Sequence, residues 1–417
     1  MSMEYETVIG LEVHCQLKTN TKVWCSCDAD YDNKHPNTSA CPVCTGQPGA
    51  LPKLNEKVLD YAIKAALALG CEINEESQFD RKNYFYPDSP KNYQITQYFK
   101  PYAENGTLKI TTNSGKEAVV GIERIQIEED TAKSIHTTSE TLLNYNRASV
   151  PLIEIISKPE IKNAEEAYAY LNTLKDRLKY TKVSDVSMEL GSLRCDANVS
   201  VRKKGEKELG TRTETKNLNS FKAVMRAIEY ETNRQIEVIE NGGRVVQETR
   251  LWDEENAVTK PMRSKEEAMD YRYFPEPDLL PLELSDEFIA EARTKIPELP
   301  IEKRIRYLNE YKLSEDDARI LTTDRELSEY FDELNSLTWD PKKSCSYITT
   351  ILLALMNESE NTKKISDLKF ELKQLARVIE LVNSDELSST NSKQVVEELF
   401  MNWWDADIIV DENNLRQ

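Results

Sequence analysis

The chain is short of positive charge: 54 lysines and arginines stand against 73 aspartates and glutamates in 417 residues, for a net charge of −19. Affinity for nucleic-acid phosphate comes from a local excess of Lys and Arg, so this balance excludes broad, nonspecific binding and confines any RNA contact to a local patch. No stretch approaches the roughly 20 apolar residues of a membrane span. The start, MSMEYETVIG, lacks the basic and apolar blocks of a secretory signal. A soluble, cytoplasmic protein without a membrane partner is expected. Neither GxxxxGK followed by Ser or Thr nor GxGxxG occurs, so the common nucleotide-binding folds have no support. There is no GxSxG nucleophile elbow, and spacing reveals no Ser/Lys amidase arrangement.

What the chain has instead is a string of separated polar motifs: GLEVHCQL (Gly10 to Leu17), RKNYFYPDSPKNYQITQ (Arg81 to Gln97), IEEDTAKS (Ile127 to Ser134), YNRASVPLIEI (Tyr145 to Ile155), GSLRCDANVSVR (Gly191 to Arg202) and GTRTETKNLNS (Gly210 to Ser220). They carry Glu12, His14, Glu128, Glu129, Asp130, Glu154, Asp196 and Glu214. Oxygen ligands with one imidazole suit Mg²⁺ and phosphate chemistry better than zinc hydrolysis. A single Glu in so acidic a chain is by default a surface residue, and context singles out a few. Glu12 and His14 sit one residue apart in the apolar run Val8 to His14, and period-2 alternation points both to one face of a strand. Two polar groups there are costly unless they share a ligand or partner. Glu154 lies between Ile153 and Ile155, so its buried charge needs a cation. Lys82, Arg147, Arg194 and Lys216 are the cations available to hold phosphate beside a divalent metal. Arg147 precedes the Pro151-Leu152 run that leads to Glu154, and reads equally well as a solvated loop arginine.

Four of the eight cysteines are grouped as Cys25-x-Cys27 and Cys41-x-x-Cys44, with Pro42 and Gly46 shaping a tight knuckle. Paired thiols at this spacing match a closed tetrahedral zinc site, structural because all four positions are filled. Clustered free thiols or a disulfide pair are the alternatives, and a disulfide is disfavoured without a secretory signal. Cys15, Cys71, Cys195 and Cys345 are isolated and read as small core residues.

At 48.0 kDa the chain has room for two or three domains. Helical periodicity runs from Glu56 to Leu69 and stops at Gly70, alternation from Gly106 to Ile127 around Asn113-Ser114-Gly115 reads as a hairpin, and a helix spans about Ala164 to Tyr180. The segments VSDVSMEL and SLRCDANVSVR read as strands, before an amphipathic helix from Ser220 to about Ile239 ended by Gly242-Gly243. Antiparallel strands are favoured over βαβ units. A proline-rich stretch from Phe274 to Pro281 reads as a linker. Beyond it come successive helices: SDEFIAEARTKI, PIEKRIRYLNEY, SEDDARILT, RELSEYFDEL, SYITTILLALMNE, LKFELKQLARVIELV and SKQVVEELFMNWW. No convergent catalytic set lies among them, which leaves binding or positioning as their role.

Together the six motifs resemble a known family, the B subunits of the tRNA-dependent amidotransferase that converts Glu-tRNA(Gln) to Gln-tRNA(Gln) and, in many organisms, Asp-tRNA(Asn) to Asn-tRNA(Asn). The resemblance runs from about Tyr5 to Gln417. It implies an α+β fold: a cradle-like mixed α/β catalytic domain over 1–282, carrying the zinc knuckle at 25–44, then an all-α helical domain over 283–417. It implies ATP-dependent phosphorylation of the side-chain carboxylate, followed by attack of ammonia on the acyl phosphate. The ammonia would come from the amidase (glutaminase) subunit of the same complex, which also holds a third, small subunit and takes misacylated tRNA. Carried onto this chain, the Mg²⁺ and nucleotide region falls on Glu12, His14, Glu128, Glu129 and Glu154, with Lys82, Asp196 and Glu214 lining the same pocket. The family's cysteine knuckle falls on Cys25, Cys27, Cys41 and Cys44. Gln126 stands where the family usually has histidine, Asn144 where it has aspartate, and Ser149 where it has glycine. The family's helical tRNA-binding tail domain is expected to be absent.

Two other classes compete. A silent RNA-binding scaffold should show a basic stripe with exposed aromatics, whereas the grouped residues here are acidic. A metal-dependent hydrolase would use similar ligands without ATP.

Overall fold

Apolar and polar residues alternate along Tyr5–Gln16, and this segment, β1, is central in the sheet of a computed structural model that describes residues 4–262 and 271–417. The other strands of this nine-stranded sheet are β2 (Glu72–Ile73), β3 (Ala103–Thr111), β4 (Glu117–Glu129), β5 (Pro151–Ser157), β6 (Leu193–Lys203), β7 (Thr213–Leu218), β8 (Thr249–Asp253) and β9 (Val258–Pro261). Their spatial order is β9-β8-β7-β6-β1-β5-β4-β3-β2. Only β7 and β8 pair in parallel; every other neighbouring pair is antiparallel, as expected from the sequence. Leu11, Val13 and Cys15 of β1, Ile153 and Ile155 of β5, and Ala197 and Val199 of β6 are all buried in one core. Three amphipathic helices supply that core: α1 (Glu56–Ala68), α2 (Ala164–Tyr180) and α3 (Phe221–Glu240). Each starts at a side-chain cap that satisfies an otherwise orphaned amide, from Asn55, Asn163 and Ser220 respectively.

The hairpin around Asn113-Ser114-Gly115 is β3 and β4. The segment VSDVSMEL, residues 183–190, is not a strand. Ser184 Oγ accepts from Val186 N at 3.1 Å, Ser187 Oγ from Leu190 N at 3.2 Å and Ser192 Oγ from Ser187 N at 2.9 Å, so hydroxyls fold this stretch into turns instead.

The proline-rich stretch is not a free linker either. Phe274–Pro275 pairs with Asp80–Arg81, and Leu282–Glu283 pairs with Glu76–Ser77. Proline bars a central strand but not an edge strand. Glu276, fully buried, accepts from Arg81 Nε at 2.7 Å and Nη2 at 2.9 Å. Helix α4 (Asp286–Thr294) packs on α1. The first compact unit therefore extends over 1–297 rather than stopping at 282, and the second covers 298–417.

The second unit is helical throughout: α5 (Pro300–Asn309), α6 (Glu315–Leu321), α7 (Arg325–Thr338), α8 (Pro341–Ser346), a π turn over Tyr347–Leu352 running into α9 (Leu353–Glu358), α10 (Leu372–Asn383), α11 (Ser389–Asn402) and α12 (Ala406–Glu412). Phe331, Ile348, Leu375, Ile379, Val396 and Ile409 meet in its core. The expected helix beginning at Leu368 starts at Leu372, after a short 3₁₀ turn, and α12 was not legible as a separate helix. No helix among the described residues is long and apolar enough to cross a membrane.

Candidate active site

Register builds the site. Across β1 the pairs Glu12↔Asp196 and His14↔Arg194 face β6, while Glu12↔Ile156 and His14↔Glu154 face β5. Glu154 in turn lies opposite Gln126 and Leu152 opposite Glu128 on β4, and Asn198 opposite Glu214 on β7. Directly opposed side chains share a face, so five strands lay one polar stripe across the sheet, on the face opposite the helices. Motifs separated by more than a hundred residues meet there.

Two acidic groups stand on this stripe. In the first, one ligand atom each from His14, Glu128 and Glu154 lies within 4.8 Å of the others, and in the second the same holds for Glu12, Asp196 and Glu214. His14 Nε2 is 3.5 Å from a Glu154 oxygen. The Gln126 amide donates to Glu154 and, at 3.0 Å, to Glu128, which also accepts from Thr96 Oγ1 at 2.6 Å. Burial, then the neighbouring Glu128, holds the Glu154 carboxyl well above its usual range. Burial also works on Glu128, but Lys82, with hydrogen bonds from Thr96 and Gln126, outweighs it and brings that carboxyl below the usual value. The like-charged pair therefore splits, with Glu128 ionised and Glu154 inclined to hold a proton. His14 is pushed down, chiefly by burial against the pull of Glu128, which keeps its imidazole neutral as a metal ligand requires. Lys82 lies 4.9 Å over the ring of Tyr271 and within charge reach of Glu128 and Glu154. Burial would lower its ammonium, yet Glu128, Tyr273 and Glu154 together hold it raised.

The second group already contains a cation: Lys216 Nζ is 2.7 Å from Asp196 and 3.0 Å from Glu214. Burial raises Glu12, partly opposed by its hydrogen bond from Asn198 at 2.9 Å. Beside Glu12 opens a cleft of about 410 Å³ whose lining mixes apolar Val8 and Ile156 with polar Asn198, Ser200, Thr211 and Arg212.

Two expected members lie elsewhere. Glu129 is adjacent to Glu128, and alternation sends it away from the stripe. It accepts from Lys91 Nζ at 2.6 Å, Ile95 N at 2.9 Å and Ser149 Oγ at 2.5 Å. Arg147 spends its fork on the carbonyls of Thr131 and Ala132, at 2.8 Å each, and braces a loop. Arg194 stays at the edge of the stripe, 2.9 Å from Asp130, to which Gln16 also donates at 2.7 Å. The Ser149 backbone has φ +66°, where a glycine is at ease. Thr96, Gln126, Asn198, Tyr271 and Tyr273 were not anticipated as functional. Period-2 spacing from Asp196 points to Asn198, and from Glu128 to Gln126. The two tyrosines return to Lys82 only through the pairing of Phe274–Pro275 with Asp80–Arg81, which leaves no local signal.

The four cysteines expected to form a knuckle do converge. Their sulfurs lie within 4.8 Å of one another, with Cys41 and Cys44 at 3.9 Å. A tetrahedron with metal–sulfur bonds of about 2.3 Å has edges of about 3.8 Å, so the arrangement fits zinc. A hydrogen bond with Cys25 is the largest influence drawing the Cys44 thiol down to about 4. Cys15, Cys71, Cys195 and Cys345 are buried singly.

Comparison with known proteins identifies the family. Residues 7–290 match the model of the GatB/GatE catalytic domain and residues 329–417 that of the GatB domain. The chain is 59% identical over 419 residues to the aspartyl/glutamyl-tRNA(Asn/Gln) amidotransferase B subunit from Fusobacterium nucleatum, an alignment covering 100% of this chain and 86% of the relative. It is 51% identical to the protein of the same name from Carboxydothermus hydrogenoformans, over 99% of this chain and 86% of the relative. The protein of that name from Clostridium tetani is 50% identical, over 100% of this chain and 86% of the relative. The chain therefore belongs to the family of aspartyl/glutamyl-tRNA(Asn/Gln) amidotransferase B subunits.

Proposed function

We propose that the polar stripe is where the side-chain carboxylate of Glu-tRNA(Gln), Asp-tRNA(Asn) or both is activated with ATP and then amidated. The observation that carries this is the pair of acidic groups set side by side on one sheet face, one of them, among the described residues, without an ion-paired lysine such as Lys216 supplies to the other. His14, Glu128 and Glu154 offer the better Mg²⁺ site, because among the described residues no lysine is ion-paired with them as Lys216 is with the second group. Glu12, Asp196 and Glu214 form a second site only if Lys216 swings toward phosphate. Bound Mg²⁺ would neutralise charge on the transferring phosphoryl group.

The remaining chemistry belongs to the chain and its substrates. A carboxylate oxygen of the aminoacyl side chain attacks the γ-phosphorus, ADP leaves, and an acyl phosphate forms. Ammonia then attacks the acyl carbon, loses a proton and expels inorganic phosphate. Most of this catalysis is positioning. Lys82 is held charged beside the first group and Lys216 beside the second, each placed to steady phosphate oxygens. The proton that ammonia loses leaves with the inorganic phosphate, since Glu154 is needed as a carboxylate to hold the metal. The sequence carries no glutaminase signature, so a separate amidase subunit is the ammonia source, with a third, small subunit completing the complex. The cysteine cluster would hold one structural zinc.

A scaffold without catalysis has less support, since the stripe is acidic rather than basic. The test supplies ATP, Mg²⁺, ammonium and misacylated tRNA, with and without the amidase partner. Amidated tRNA that forms with ammonium alone and requires ATP supports the reading; product without ATP, or hydrolysis of the aminoacyl bond instead, overturns it.

A further inference from the structure

We infer that Lys22 is the buried counter-charge of the cysteine knuckle and fastens it to the loop that leads into the Glu154 strand. This rests on reading the knuckle as a zinc site. Lys22 is 0% exposed, and burial of an ammonium is costly unless it is paired. Its Nζ donates to Ser39 O at 2.7 Å and lies 3.5 Å from Cys44 Sγ and 3.4 Å from Tyr145 O. Two carbonyls satisfy donors but supply no negative charge. The sulfur does: Zn²⁺ bound by four thiolates carries a net charge of about −2, and one adjacent ammonium halves it. The arrangement explains why a lysine is kept where an apolar residue would be cheaper to bury.

The Tyr145 carbonyl gives Lys22 its second role. Ser39 N donates to Asn146 Oδ1 at 2.8 Å, Asn146 Nδ2 to His35 O at 2.9 Å and Val23 N to Ser149 O at 3.0 Å. The knuckle thus grips residues 145–149 through both neutral hydrogen bonds and one charged side chain, and β5 begins two residues later at Pro151. Lys22 is the member of this set that reaches both the metal ligand and the loop.

Zinc content and zinc loss to a chromogenic chelator, measured on the intact chain, test this. Lys22→Met should lose zinc roughly tenfold or more faster than the parent chain, the scale typical of groups that support metal ligands. Lys22→Arg, which keeps the charge, should recover most of the retention. Asn146→Ala, which cuts two of the neutral ties and leaves the charge, should release zinc at close to the parent rate. Lys22→Gln provides a second neutral variant that retains a donor for Ser39, should the Met variant fold poorly. Parent-like zinc release in both neutral variants, or equally fast release in Asn146→Ala, would overturn the counter-charge role. A parent chain with far less than one zinc would remove the zinc reading itself, and the inference with it.

Discussion

Replacing Glu154 by Gln should make the metal-free protein more stable and the metal-loaded protein less so. Glu128 and Glu154 place ligand atoms within 4.8 Å of each other. Two full charges at that distance repel by about 3.5 kcal/mol at an effective dielectric of 20. Protonation of Glu154 and the nearby Lys82 relieve part of this, leaving an expected gain of about 1–2 kcal/mol for the variant at neutral pH without divalent ions. A carboxyl with a raised folded-state value penalises folding only above its unfolded value of about 4.3, so the advantage should vanish below about pH 4. With Mg²⁺ at a hundred times its dissociation constant, the parent gains about 2.7 kcal/mol from binding. The variant, missing one ligand, gains little, and the order reverses. Urea unfolding of parent and variant, with EDTA and with MgCl₂, measures this directly. A variant less stable than the parent in EDTA, by the same margin as in MgCl₂, would show that Glu154 is a structural residue and would refute the reasoning.

Other consequences follow from the same geometry. Cys41→Ser should lose its zinc, and protease cleavage between Trp24 and Gly46 should speed up, as read by metal analysis and limited proteolysis. Glu276→Ala leaves Arg81 without its buried bidentate partner and should cost about 3 kcal/mol by denaturant unfolding; a loss below about 0.5 kcal/mol, the scale of an ordinary surface change, would mean residues 274–281 are a loose linker after all. Asp130 is pushed up by burial but held below its usual range by Arg194 and then Arg147. Its contribution should be complete above the unfolded value of about 3.9 and fade as pH falls through the lower folded one, so Asp130→Asn should cost about 2 kcal/mol at pH 7 and progressively less as pH falls below about 3.9.

Much of the site could be read from the sequence because its signals are local. Glu12 and His14 two apart in an apolar run state their own face, and Cys25, Cys27, Cys41 and Cys44 state their own geometry. Helices α1, α2 and α3 were equally visible, each opened by a side-chain cap. Failures came where tertiary pairing decided. Nothing near Phe274 announces the edge strand against Asp80–Arg81 that brings Tyr271 to Lys82. Glu129 shares a motif with Glu128 and reads as its companion, although strict alternation separates the two. Residues 183–190 carry β-prone valines, but the serines among them offer the backbone hydrogen bonds that a strand would otherwise provide.

The central claim is that the side-chain carboxylate is phosphorylated before it is amidated. Glu-tRNA(Gln) carrying ¹⁸O in its side-chain carboxylate, supplied with ATP, Mg²⁺ and ammonium to the chain assembled with its amidase partner, tests it. The account predicts one ¹⁸O in inorganic phosphate for each Gln-tRNA(Gln) formed. Gln-tRNA(Gln) appearing with no label in phosphate, the ¹⁸O leaving instead in water or AMP, would contradict it.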